Sequence, residues 1–250
     1  MESVPYKNTK LLVKTIPKGT LLFRLTKAPK NDMFGIPRGD GSRCILPNQN
    51  VFFYPNPFVG KYALSDWIQS KAYPVITVYI LEKDVKVFWL LDPSKYSRVD
   101  KNRKNFFMKR CSKTRKGCVA RAKPTGLHAP YNPCLSDTII KRYPDIVGMM
   151  AIAKGDAERV QSAFRNKTVK NKRFYKLAKD SSNTESVPEL ILHPLTVRNE
   201  KPTIVHTGDV LQTNYRELTT LPTENENALA QFMDAHAEYD PNTFFYVYKN

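Results

Sequence analysis

Val75-Ile76-Thr77-Val78-Tyr79-Ile80-Leu81, then Glu82-Lys83-Asp84, then Val85-Lys86-Val87-Phe88-Trp89-Leu90-Leu91 is the stretch that decides the fold class. Both runs are β-branched and aromatic, of strand rather than helix length, and neither carries a Gly or Pro. The three polar residues between them suit a tight connection, so the pattern predicts a hairpin or adjacent pairing. Upstream, residues 10–13 and 20–26 alternate around Pro17-Lys18-Gly19, where Pro at the first corner and Gly at the second is type II turn chemistry. Residues 28–42 hold Gly35, Pro37, Gly39 and Gly41 and read as a long loop without periodicity. Residues 51–54 read as a short strand, and 58–67 as a short helix packing Tyr62 and Trp67.

Downstream, Ser136-Asp137 makes a helix start, with a short helix over 137–143 and a buried strand over 146–152. Residues 189–192, 204–206 and 244–248 read as strands and 228–237 as a helix. Strands outnumber helices and alternate with them irregularly. That order predicts an α+β fold with a mixed, largely antiparallel sheet and short helices. A chain of 250 residues can bury one sizeable core, and the reading is a single domain over 1–250.

Charge is the unusual feature. Forty Lys+Arg against 23 Asp+Glu give a formal +17, a balance that speaks to partners rather than to fold. Residues 95–123 hold twelve Lys/Arg against Asp100 alone, a net of +11 over 29 residues. Apolar residues are few there, so the segment reads as a loop-rich basic insertion. Arg98, Lys101, Arg103, Lys104, Lys109, Arg110, Lys113, Arg115 and Lys116 are its candidate polyanion- or partner-binding residues. Tyr96, Phe106 and Phe107 lie among them, and cations with aromatics can grip single-stranded nucleic acid by phosphate contact and base stacking. The same composition can dock into acidic grooves of neighbouring proteins, and either is set against a merely solvated basic face. Residues 154–179 carry a further net of +7, whereas 217–240 hold six acids and no Lys or Arg.

Other chemistries find little purchase. The longest apolar stretch, residues 146–153, is far short of the roughly 20 residues of a membrane helix, so no membrane span is expected. The N-terminal MESVPYKNTK has no apolar signal region. Cys44, Cys111, Cys118 and Cys134 are too scattered for a disulfide framework, which predicts reduced thiols and an intracellular, cytoplasmic protein. Zinc held by Cys111, Cys118, His128 and Cys134 lacks the paired CxxC-like spacing, so no metal is expected. Residues 35–41 lack the ending of a phosphate-binding loop. His193 and His206 have no neighbouring nucleophile motif. Asp145, Glu158 and Glu189 are three common carboxylates with nothing to mark them as a nuclease centre.

Lys18-Gly19-Thr20-Leu21-Leu22-Phe23-Arg24, then Val51-Phe52-Phe53-Tyr54 with Tyr62-Ala63, then the runs 75–81 and 85–91, resemble the front half of an ADP-ribosyltransferase-like split sheet. Tyr143-Pro144-Asp145-Ile146-Val147-Gly148, followed by Glu189-Leu190-Ile191-Leu192, is similar to its back half. The resemblance covers about residues 10–200. It implies a cleft for NAD in which Arg24 neutralises the phosphates and Glu189 stabilises the oxocarbenium-like ribose, a matter of electrostatic preorganisation. The family's Ser-Thr-Ser position here reads Phe52-Phe53-Tyr54, leaving Tyr54 as its one hydroxyl. Two residues before Glu189 stands Val187 rather than Gln or Glu. The resemblance therefore implies a degenerate, non-catalytic scaffold without cofactor, with an active NAD-dependent transferase as the alternative. On the plainer reading Arg24 pairs on a surface strand and Glu189 is a strand-edge carboxylate. In its Lys-, Asn- and Tyr-rich style the chain also resembles proteins of large DNA viruses. That implies a minor capsid component of the virion whose basic loops hold acidic protein partners, with a nucleic-acid-binding protein as the third expectation.

Overall fold

A computed structural model describes residues 2–6, 9–26, 35–46, 49–57, 75–89, 109–110, 133–134, 141–152, 188–199, 201–223, 225–243 and 245–249. Among them run sixteen strands and one helix. The strands are β1 (Glu2–Tyr6), β2 (Thr9–Ile16), β3 (Thr20–Thr26), β4 (Ile36–Pro37), β5 (Arg43–Ile45), β6 (Val51–Phe53), β7 (Val75–Leu81), β8 (Val85–Trp89), β9 (Lys109–Arg110) and β10 (Pro133–Cys134). They continue as β11 (Ile146–Ile152), β12 (Pro188–Leu192), β13 (Thr203–Val205), β14 (Tyr215–Pro222), β15 (Ala237–Asp240) and β16 (Phe245–Tyr248), with helix α1 (Glu226–His236) before β15. The coarse expectation holds: the described residues are mostly sheet, and every pairing is antiparallel except that of β8 with β11.

Two large sheets carry the fold. The first has the order β1-β2-β8-β11-β12-β6 and the second β14-β7-β3-β16-β15. The expected hairpin is therefore not formed. β7 pairs with β3 and β14 in the second sheet, and β8 pairs with β2 and β11 in the first. The reason lies in burial. Ile76, Val78 and Ile80 face one apolar cluster while Tyr79 and Leu81 face another. A strand apolar on both sides needs a layer over each face, and a flat hairpin would leave one side of the run uncovered. At residues 82–84 the chain instead passes to the opposite sheet, so that Val85, Val87 and Trp89 meet Tyr79 and Leu81 across the core.

The turn at Pro17-Lys18-Gly19 makes the same passage, from β2 in the first sheet to β3 in the second. The two crossings are fastened side by side. Gly19 N–H donates to Leu81 O at 3.0 Å, and Lys18 N–H donates to Asp84 Oδ1 at 2.7 Å. Gly19 has φ +84°, a conformation that glycine adopts without strain. Between the sheets Phe53, Tyr79 and Tyr215 pack edge to face with centroids 4.7–5.5 Å apart, a favoured aromatic geometry. Helix α1 lays Leu229 and Met233 on the far face of the second sheet, against Leu21, Phe23, Leu25 and Val78. The Asn225 side chain caps it, accepting from Ala228 N–H at 3.0 Å.

β4 lies within the loop expected over 28–42 and forms a hairpin with β5 just beyond it, and β13 completes a third sheet with them. Buried Cys44 is disulfide-bonded, with the partner sulfur outside the described side chains. This corrects the expectation of reduced thiols. Scattered spacing says nothing about which cysteines a fold brings together, and a structural disulfide suits an oxidising setting. No helix among the described residues is long and apolar enough to cross a membrane. The helix expected over 58–67 lies outside the described residues.

Two outcomes follow from these contacts. Gly148 of β11 sits where an added Cβ would come 2.4 Å from Ile191 O and 2.5 Å from Leu192 Cδ2. Gly148→Ala should cost roughly 1–3 kcal/mol or more, as overpacking does, read as a lowered urea midpoint with unchanged slope. Thiol titration of the unreduced, denatured chain should find no more than two of the four cysteines reactive; four reactive thiols would dismiss the bond.

Candidate functional site

The residues singled out by the resemblance are brought to one junction by their backbones. Phe23 and Tyr54 exchange two hydrogen bonds, N–H to O at 3.2 and 2.8 Å, so the end of β6 joins the first sheet to β3 of the second. Leu190 pairs with Phe53, and the same register sets Glu189 opposite Tyr54. Arg24 follows Phe23 directly. Both strands are internal: β3 lies between β7 and β16, and β12 between β11 and β6. Neither the surface strand expected for Arg24 nor the sheet edge expected for Glu189 is found.

Their side chains diverge. Along β3, Leu21, Phe23 and Leu25 face the helix cluster and Leu22 faces the inter-sheet core, and alternation gives half-buried Arg24 the side of Leu22. Along β12, Leu190 and Leu192 face that core while Ile191 faces the first sheet's other side. Half-buried Glu189 shares the side of Ile191. Tyr54, 7% exposed, packs with Phe23 and Leu25 in the helix cluster. Where Arg24 and Glu189 would need one common cleft, the inter-sheet space holds Leu22, Phe53, Tyr79, Tyr215 and Phe245, all within 2% of full burial.

Hydroxyls do stand beside Arg24, on β7, a strand that the sequence identifies but whose threonine it does not single out. Thr77 is its cross-strand partner, and Thr26 and Thr77 share a buried hydrogen bond of 2.7 Å. Thr220 of β14 pairs with Thr77 in turn, so Arg24, Thr77 and Thr220 form one row across three strands. Thr77 sits inside the otherwise apolar run of β7, and that interruption was the available signal.

A second polar group was also missed. His193 follows β12 directly and is 1% exposed. Its Nδ1 accepts from Leu195 N–H at 3.2 Å, and Nε2 lies 3.3 Å from Leu46 O as donor. This arrangement satisfies the neutral ring. Arg198, 3% exposed, donates from Nη2 to Val147 O at 2.6 Å and Asn50 Oδ1 at 3.3 Å. Asn214 donates to the carbonyls of His193 and Leu195 at 2.9 and 2.8 Å. Burial, together with the Arg198 cation, pushes His193 down to about 3, and burial takes Arg198 down to about 9. The group ties the loops at 46–50 and 193–198 to β11, and its chemistry is that of a structural clasp.

Arg98, Lys101, Arg103, Lys104, Lys113, Arg115 and Lys116 lie outside the described residues. Lys109 and Arg110 form β9, whose backbone pairs with β10 through Pro133↔Arg110 and Cys134↔Lys109. Asp145 pairs with Lys86 at 3.7 Å, and among the described residues no group of three His, Cys, Asp or Glu side chains could hold a metal. No family model, curated protein or solved structure matches this chain.

Burial of the clasp sets a pH dependence. His193 takes its proton near 6.5 when unfolded but near 3 in place, so its contribution is complete above pH 6.5 and is lost as pH falls towards 3. Stability should drop by on the order of 2 kcal/mol more between pH 6.5 and 4.5 than in His193→Gln, which takes no proton there. Parallel urea-midpoint curves for the two chains would remove His193 as the source.

Proposed function

We propose that this chain is a non-catalytic structural or assembly protein that holds acidic partners through basic insertions on a neutral β scaffold. The observation that carries the reading is where the charge resides. Residues 95–123 and 154–179 hold 21 of the 40 Lys/Arg and only three of the 23 acids, leaving 19 bases and 20 acids elsewhere. The whole excess therefore belongs to two segments, while the described sheets pair their surface charges locally, as in Lys86 with Glu2 and Arg216 with Glu82. Solubility alone is served as well by scattered charge; concentration of this degree suits a surface that meets a polyanion.

An apolar inter-sheet space and the divergence of Arg24 from Glu189 also favour a scaffold over a dinucleotide cleft. The assembly we propose is a virion, with the chain as a minor capsid component of a large DNA virus, on the strength of its compositional style. The alternative, an NAD-dependent ADP-ribosyltransferase, draws on the meeting of the Arg24, Tyr54 and Glu189 backbones at one junction.

One experiment separates them. Purified chain should release no nicotinamide from NAD and should bind immobilised polyglutamate with an affinity that falls steeply with salt. Replacing Lys101, Arg103 and Lys104 by Gln should weaken that binding several-fold at low salt. Nicotinamide release that vanishes in Glu189→Gln would overturn the reading. Binding to single-stranded DNA but not to polyglutamate, with the steep salt slope of phosphate contacts, would replace the protein partner by nucleic acid.

A further inference from the structure

The hairpin of β4 and β5 presents Arg38-Gly39-Asp40 at its tip, far in charge character from the basic insertions. Gly39, Asp40 and Gly41 are exposed and Arg38 is half-exposed. Among the described residues no atom lies within 4 Å of where a Cβ would stand on Gly39 or Gly41, so they leave this side of the tip open to an incoming surface.

The tip is also held in shape. Arg38 N–H donates to Ser42 O at 2.9 Å and Gly41 N–H to Arg38 O at 3.3 Å, with Gly41 at φ +81°. Ser42 fixes the acid, its N–H and Oγ both donating to Asp40 Oδ1 at 3.0 and 2.5 Å. Those hydrogen bonds, the side-chain one first, hold the Asp40 carboxyl below the usual carboxylate range. At the base, Arg43 Nη2 donates to Gly35 O at 3.0 Å, and buried, disulfide-bonded Cys44 follows. A ligand loop fixed beforehand loses little freedom on docking.

The chemistry of the tip is a guanidinium and a carboxylate two residues apart, with no side chain between them. Asp40 Oδ2 faces Arg38 Nη2 at 3.4 Å, with the two side chains 52% and 31% exposed. An ion pair that open to water is worth little, so both groups can exchange it for better partners. Oδ1 is occupied by Ser42, but a carboxylate has about four lone-pair sites, and those of Oδ2 remain for a hard divalent cation. Arg38 supplies planar donors suited to a carboxylate pocket.

We propose that Arg38-Gly39-Asp40 is a docking element for a cation-dependent adhesion receptor, Asp40 ligating the receptor's divalent cation and Arg38 filling an acidic pocket beside it. The element would work apart from the basic segments and does not rest on the assembly reading.

The test is attachment of cultured fibroblasts to the immobilised full-length chain. Attachment should require Mg2+ or Mn2+, be abolished by EDTA, and be competed by soluble Gly-Arg-Gly-Asp-Ser but not by Gly-Arg-Gly-Glu-Ser. Asp40→Glu keeps the charge but moves the carboxylate, and should reduce attachment roughly tenfold to a hundredfold, the scale of one lost charge-assisted contact. Because residue 40 is exposed, the variant should melt with the parent chain. No attachment in the presence of Mn2+ would overturn the proposal. So would attachment that persists in Asp40→Glu or in EDTA, whose sensitivity to salt would instead assign it to the basic segments.

Discussion

Two short turns lying against each other set the architecture. Gly19 N–H on Leu81 O and Lys18 N–H on Asp84 Oδ1 bring together two of the places where the chain passes between the large sheets, β2 to β3 and β7 to β8. With both crossings pinned at one corner, β2 must run beside β8 on one side of the core and β3 beside β7 on the other. The C-terminal strands use the same point, since Tyr248 N–H donates to Gly19 O at 2.9 Å, and Glu82 N–H donates to Asn214 O at 3.0 Å at the entry to β14. One glycine with positive φ thus bonds to two other parts of the chain, the end of β7 and the end of β16. A larger residue at position 19 would strain the turn and, through it, the facing of the two sheets.

Strand identity was legible where both faces of a run are apolar: residues 75–81, 146–152 and 20–26 are strands over those spans. What could not be read was which strand each would pair with. A three-residue polar linker is equally compatible with a hairpin and with a crossing, and the choice is made by layers elsewhere in the chain that need covering. β14 was passed over because Arg216, Glu217 and Pro222 break its pattern and a register shift between Glu217 and Thr219 interrupts its alternation. The disulfide of Cys44 and the clasp of His193 with Arg198 were invisible for the same reason: each joins parts of the chain more than 50 residues apart in sequence or lying outside any spacing rule, as with Leu46 and His193. For the candidate site, the resemblance picked out three residues whose backbones do adjoin, but face alternation, which decides whether they can act together, depends on pairing and not on motif.

The buried clasp shows what a cation requires in this scaffold. Arg198 is taken inside only with carbonyl and amide oxygens placed around it and with His193 kept neutral beside it, since a second positive charge there would have no water to screen it. That arrangement uses β11, β12 and two loops for a single guanidinium. Residues 95–123 and 154–179 hold 21 cations and only three acids, and on the assembly proposed above an acidic partner meets them. Such a partner gains from the concentration of charge, because each neutralised contact releases a counterion and strengthens with the local density of cations. The neutrality of the remaining chain has a matching consequence for that proposal: partner binding can be varied by substituting the insertions while the two large sheets, whose strands all lie outside both segments, keep their own stability.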